Sequence, residues 1–307
     1  MPSMTKHDIL SPVAASDSLN QQVSQIAILG TGLLGASLGL GLRAARFRGS
    51  IIGYGRRMAT VERAKALGCI DQATTNLAEA VDGCELVVMA TPVGVFTSLL
   101  ERLADCGHPS LVITDVGSTK QQVCSDADRL LPNPTYFIGS HPMAGSERQG
   151  PDAAIKDLFD DKSCIMTPSK HTSPAATSLV QQLWGSLGMN VIQMSSAEHD
   201  QKVACVSHLP HAIAAMLMRL ADQWDATQIA SSGFRDTTRL ASGDPTVWTD
   251  IFKTNRKQVI KAVDALALEL QQFRKLLVDH ADDNLELQLQ QCKKMRDKWA
   301  LEPEGDE

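Results

Sequence analysis

Apolar residues fall into short runs over the first two thirds of the chain and into a helical stripe over the last third. The runs cover 26–29, 51–54, 86–90, 111–114, 136–138, 164–166 and 191–194. Most are too short for helices, and several are apolar throughout, as strands covered on both faces are. Between them, 33–46, 58–67, 93–104 and 175–187 carry the three-to-four spacing of helices. This alternation predicts an α/β fold, a Rossmann-like, doubly wound and mostly parallel sheet.

After Ser195 the strand runs stop. Asp244-Pro245 marks a helix start: the carboxylate can cap free amides, and proline has no amide to leave unpaired. Trp248, Phe252, Val259, Val263, Leu266, Leu270, Phe273 and Leu277 then lie along one stripe. They predict a single helix of ~35 residues, ~50 Å long. That exceeds what a small domain needs, so part of the stripe is expected to pack on a second subunit. The expected organisation is a flexible tail over 1–22, a dinucleotide-binding domain over 23–195, an all-helical substrate and dimerisation domain over 196–300, and an acidic tail over 301–307.

Composition narrows the class. The chain has 307 residues, 43% apolar and 21% charged, close to globular averages. A net charge of −6 argues against a nucleic-acid partner. The longest unbroken apolar run, 212–218, is far short of the ~20 residues of a membrane span. No basic segment followed by an apolar one begins the chain, so a cytoplasmic location is expected. Seven cysteines, none in a C-x-x-C pair, point to a reduced compartment, to small buried side chains, and away from a metal site.

The strongest local signal is Gly30-Thr31-Gly32-Leu33-Leu34-Gly35, placed directly after a strand and before a helix. In that context the first glycine permits a tight turn, the second lets amides approach a pyrophosphate, and the third lets helix and strand pack closely. An acid ~20 residues on would bind the ribose 2′-hydroxyl of NAD. The position holds Gly55, followed by Arg56 and Arg57. Without a carboxylate to repel a 2′-phosphate, and with guanidinium groups able to bind one, NADP is favoured over NAD.

Further polar strings follow: Asp115-Val-Gly-Ser118-Thr-Lys120, Gly139-Ser-His141-Pro-Met-Ala-Gly145, Ser207-His208-Leu-Pro-His211 and Ser232-Gly-Phe-Arg235-Asp-Thr-Thr-Arg239. In this order behind a dinucleotide turn, they resemble the prephenate/arogenate dehydrogenase family of tyrosine biosynthesis. The resemblance runs from Gln25 to about His280. It implies a homodimer and oxidative decarboxylation of a small cyclohexadiene substrate: prephenate to 4-hydroxyphenylpyruvate, or alternatively arogenate to tyrosine. It further implies His141 as acceptor of the substrate hydroxyl proton and Ser118 as its hydrogen-bonding neighbour, with a helix cap as the competing role for Ser118. Arg239 would bind a substrate carboxylate, with Arg235 in support. His208 and His211 would line the pocket, Ser232 would reach the neighbouring subunit's site, and Thr91-Pro92 would wall the nicotinamide ribose. Glu198 and His211 are candidates for reading the substrate side chain. A β-hydroxyacid-type dehydrogenase, which usually carries a lysine base where this chain has His208 and His211, and a non-catalytic NADP sensor rank behind.

Overall fold

The computed structural model describes residues 12–132, 136–146 and 148–301. Eight strands form one sheet: β1 (Gln25–Leu29), β2 (Ser50–Tyr54), β3 (Gln72–Thr74), β4 (Leu86–Met89), β5 (Val112–Asp115), β6 (Phe137–Pro142), β7 (Ser163–Thr167) and β8 (Asn190–Gln193). Their order is β3-β2-β1-β4-β5-β6-β7-β8. All neighbours are parallel except β6 and β7, which run antiparallel with Pro142 opposite Cys164. Side chains of β1 alternate between two cores: Ile26 and Ile28 face the one that holds Trp184, Ala27 and Leu29 the one that holds Phe96. This two-sided burial is why β4 is apolar throughout and β1 at every position but its first. The predicted runs coincide with seven of these strands. The eighth, β3, is a three-residue polar edge strand whose apolar content is too small to register.

The helices of this half are α1 (Pro12–Gln22), α2 (Leu33–Ala44), α3 (Met58–Ala66), α4 (Leu77–Val81), α5 (Phe96–Cys106), α6 (Gln121–Leu130) and α7 (Pro174–Ser186). The expected flexible tail is corrected over 12–22. There α1 packs along α7, with Leu19 1% exposed and Ser18 Oγ donating to Gln182 Oε1 at 2.8 Å. Its few apolar positions show no strong periodicity, so the dock is set by α7. Residues 1–11 and 302–307, the remainder of both expected tails apart from Leu301 at a helix end, lie outside the described residues.

The helical half comprises α8 (Ser196–Val203), α9 (Leu209–Gln223), α10 (Ser232–Thr238), α11 (Pro245–Thr254), α12 (Arg256–Val278) and α13 (Asp282–Leu301). The single long helix is corrected to two. Asp244 caps α11 through the amides of Thr246 and Val247, as expected. At Asn255, however, the backbone leaves helical geometry (φ −113°, ψ 23°), because its side chain is drawn into the core. There its Nδ2 donates to the Asp200 carbonyl at 2.7 Å. Along α12 the stripe emerges from the fold: Val259 is buried, whereas Val263, Leu270 and Leu277 are exposed.

The continuous helical stretch Ser196–Gln223 is long and apolar enough, by composition, to cross a membrane. No unbroken apolar run announces this, because its polar residues are interspersed. Among them His199, Asp200 and His208 are fully buried against the rest of the protein. All seven cysteines are free. Cys69, Cys84, Cys124 and Cys164 are buried as expected, but Cys106, Cys205 and Cys292 are exposed.

The α1 dock is open to test. Leu19→Ala should lower unfolding free energy by about 2–4 kcal/mol, the usual cost of truncating a buried leucine. Denaturant titration measures this, and an unchanged midpoint would show that α1 contributes nothing.

Candidate active site

The chain winds outward from β1 to β3 and returns to β4 beside β1, so the sheet reverses direction between β1 and β4. Ligands in open parallel sheets bind at such a reversal. A cavity of about 690 Å³ lies there, walled by Gly32 and Leu33 after β1, Thr91 and Pro92 after β4, His141 at the end of β6, and residues of the helical half.

The glycine turn has the shape its sequence promises. Gly30 adopts φ +108°, and a Cβ there would stand 2.6 Å from the Ala90 carbonyl oxygen. A Cβ on Gly35 would lie 1.9 Å from the Gly30 oxygen, so strand and helix can approach only without it. Beside Gly32 there is open space, and Leu34 packs back on the core from the same helix start. The hydroxyls of Thr31 and Thr91 are buried without a hydrogen-bond partner among the described residues. Two orphaned hydroxyls and an open glycine at the start of α2 fit a dinucleotide, whose phosphates and ribose bring hydrogen-bonding oxygens. Gly55 directly follows β2, and a Cβ there would come 2.8 Å from Val61 Cγ2. Arg56 and Arg57 are exposed, with no carboxylate partner among the described residues.

The ends of β5 and β6 are locked by Asp115. Its Oδ1 accepts from the Ser140 amide at 3.0 Å, and its Oδ2 from the Gly117 amide at 2.8 Å and from the Lys120 ammonium. Both members of this ion pair are fully buried. The next residue of β6, His141, is 8% exposed and faces the cavity. Ser118 also lines it. The competing role of Ser118 as a cap is not taken, for the first amides of α6 are bound from elsewhere. Those of Lys120 and Gln121 donate to Asp200 Oδ1 and Oδ2 at 2.8 and 2.9 Å.

Asp200 also binds its neighbour: His199 Nδ1 lies 2.8 Å from Asp200 Oδ1. His199 Nε2 in turn lies 2.8 Å from His141 Nδ1. Neither His199 nor Asp200 stood out in the sequence. No spacing along the chain connects an adjacent His-Asp pair in one half to a strand end in the other. Burial holds the His141 pKa well below the ordinary 6.5, helped by His199, Lys120 and His208. The imidazole is therefore neutral.

On the helical side the expected residues part company. The turn Ala204–His208 is a π-helix, widened just ahead of Pro210, which has no amide to give it. His208 faces away from the cavity, fully buried, with Nδ1 3.2 Å from Asn255 Nδ2. His211 and Ser207 line the cavity instead. The His211 ring stacks on Trp248, centroids 3.6 Å apart and planes 11° from parallel. Arg239, in the turn after α10, completes this wall. Ser232 and Arg235 are exposed on α10 outside the cavity. Glu198 is half exposed, pairs with Lys202 at 2.7 Å and is not among the residues that line the cavity. Among the described residues no group of His, Cys, Asp or Glu is placed to hold a metal ion.

The arrangement offers a dinucleotide turn, a neutral imidazole beside it and a guanidinium on the facing wall. Fold and cavity together define a dinucleotide-binding oxidoreductase. Comparison with known proteins narrows this. Residues 38–193 match the model of the prephenate dehydrogenase nucleotide-binding domain, and 195–291 that of the prephenate dehydrogenase dimerization domain. The chain is 33% identical to the prephenate dehydrogenase of Bacillus subtilis (strain 168), over 94% of its own length and 79% of that protein's. It is similar to prephenate dehydrogenase from Aquifex aeolicus solved with hydroxyphenyl propionate and NAD+, with TM-score 0.86, 32% identity and coverage of 90% and 98%. It is also similar to Synechocystis arogenate dehydrogenase, with TM-score 0.78, 32% identity and coverage of 90% and 99%. The chain belongs to the prephenate dehydrogenase family.

The buried imidazoles set a pH limit on stability. Burial lowers the pKa of His141, His199, His208 and His211, that of His208 to about 4. An unfolded chain binds protons near 6.5 and the native state does not, so stability is complete above that pH and is lost as pH falls below it. For His208 the loss continues to about pH 4. Denaturation series between pH 7 and 4 should show the midpoint falling from about 6.5 downward; a flat profile would contradict this assignment.

Proposed function

We propose that the protein converts prephenate to 4-hydroxyphenylpyruvate by oxidative decarboxylation, with a nicotinamide dinucleotide as oxidant. The observation that carries this reading is His141, a neutral imidazole facing a cavity shared by the dinucleotide turn and Arg239. The names of its relatives supply the substrate class. When bound, the nicotinamide ring accepts the hydride from the substrate carbon that bears the hydroxyl. As that carbon is oxidised, its hydroxyl proton must leave, and His141 takes it. Ser118, on the same wall, hydrogen-bonds the substrate oxygen and keeps it directed at the imidazole. The bonding pair of the departing carboxylate completes the aromatic ring and leaves the negative charge on the former hydroxyl oxygen, to which His141 returns the proton it took. Arg239 holds a substrate carboxylate by charge-assisted hydrogen bonds. His211, braced by Trp248, closes the pocket over the ring.

The nucleotide half, 23–195 with α1 added, holds the coenzyme through Gly30, Thr31, Gly32 and Gly35, with Thr91 and Pro92 beside the nicotinamide ribose. The free guanidiniums of Arg56 and Arg57, with glycine rather than an acid at 55, support NADP over NAD. The helical half, 196–300, forms a homodimer, for which the exposed stripe of Val263, Leu270 and Leu277 is an apolar face. Ser232 and Arg235, exposed on α10, are free to approach a neighbouring subunit. A cytoplasmic enzyme of amino-acid biosynthesis follows from this reading. Arogenate oxidation is the second reading, favoured by the likeness to the Synechocystis arogenate dehydrogenase.

Initial rates with prephenate and arogenate, each with NAD and NADP, test the proposal directly, and absence of turnover in all four would end it. His141→Asn should lower kcat by about 10²–10⁴ with little change in KM, as loss of a general base does. The double substitution R56A/R57A should raise the KM for NADP several-fold and leave that for NAD unchanged. Equal effects on both coenzymes would show that the arginines do not read the 2′-phosphate.

A further inference from the structure

We infer that His199 and Asp200 are positioning residues that hold the single proton of His141 on Nδ1, leaving the Nε2 lone pair as the basic atom toward the cavity. This rests on the reading of His141 as proton acceptor. Asp200 only accepts hydrogen bonds. Its orientation is fixed by two backbone amides, those of Lys120 and Gln121, at the start of α6. His199 Nδ1, 2.8 Å from Oδ1, must therefore be a donor.

A neutral imidazole carries one N–H. With that N–H on Nδ1, His199 Nε2 is a lone pair. His141 Nδ1, 2.8 Å away, must then be the donor in the second contact. The neutral His141 ring has its only proton committed, and Nε2 is bare. The assignment propagates from Asp200 through two rings without a free choice at either. It requires a neutral His199. Full burial and the neighbouring Lys120 ammonium disfavour a second positive charge there, against the pull of Asp200 and Asp115. From the helical half, His208 also faces the pair, and it too is kept neutral by burial.

The consequence is specific. A histidine side chain free in water prefers its proton on Nε2, the form in which the cavity would meet a donor instead of a base. The clamp reverses that preference before substrate arrives. When Nε2 takes the hydroxyl proton, His141 becomes an imidazolium whose Nδ1–H still points at His199, and the Asp200 carboxylate stabilises the charge through one intervening ring. No proton needs to move along the relay; it stays on His141 Nε2 until the product oxygen takes it back.

Selective 15N labelling of the histidines in the full chain, read by two-bond 1H–15N correlation without substrate, reports which nitrogen of His141 is protonated. The expected wild-type result is Nδ1–H. His199→Leu removes the acceptor, and the spectrum should shift toward Nε2–H while kcat falls on the order of 10²-fold with KM for prephenate little changed. His199→Gln, whose carbonyl oxygen can accept from Nδ1, should restore most of the rate and the wild-type tautomer. An Nε2–H tautomer in the wild type would overturn the inference, and so would a folded His199→Leu protein with unaltered tautomer and kcat. The wild-type spectrum decides the tautomer even if the leucine variant does not fold. A wild-type protein that oxidises no cyclohexadiene would refute the proposed function while leaving the tautomer result standing on its own.

Discussion

Much of the site depends on one carboxylate set against the start of a helix. Asp200 belongs to the helical half, yet its two oxygens close the first amides of α6 in the nucleotide half. An anion at this position meets unpaired N–H groups and the positive end of the helix dipole. The same contact does two things. It joins the halves across the cavity, and it gives the neighbouring imidazole a fixed direction. A second tie lies close by, where Thr119 and Thr254 hydroxyls meet at 2.9 Å. Within the helical half, Asn255 links the Asp200 carbonyl to the His208 ring and so steadies the backbone that carries the carboxylate.

The nucleotide half was almost wholly legible from sequence, because its physics is local. A strand buried on both faces must be apolar, and a turn that brings backbone within reach of a pyrophosphate must be glycine; both leave marks within a few residues. His141, Ser118, Arg239 and His211 were legible by likeness to a family, and all four line one cavity. What escaped was non-local. His199 meets His141 only after β6 and α8 have been brought together, and nothing in one dimension joins them. Asn255 interrupts a stripe whose spacing reads straight through it, since the apolar period does not register an amide pulled inward. His208 looked equivalent to His211 because residues three apart share a helix face, yet they still differ by about 60° around the axis, enough to turn one ring into the core and the other to the cavity. The N-terminal helix escaped for the opposite reason: its own sequence says little, and its partner α7 supplies the order.

Buried charge is concentrated where the chemistry is placed. Lys120 and Asp115, both without solvent contact, hold the strand ends that carry Gly117, Ser140 and His141. Replacing such a pair by apolar groups can be neutral for stability, whereas breaking it is costly. Here its geometric role is plain: it sets the height of β6 relative to β5, and so the place at which the imidazole projects. Its cationic member also helps keep that imidazole uncharged.

The reversal of a single strand shapes the mouth of the cavity. Had β7 continued the parallel pattern, the chain would have had to leave β6 and travel to the far edge of the sheet before starting again. Because β7 runs backward beside β6, the connection begins and ends at the carboxyl end. Met143, Ala144, Gln149 and Gly150 are thereby left hanging over the opening as a rim. A topological irregularity has become an awning: the one break in the parallel order spares the entrance a separate insertion to shelter it.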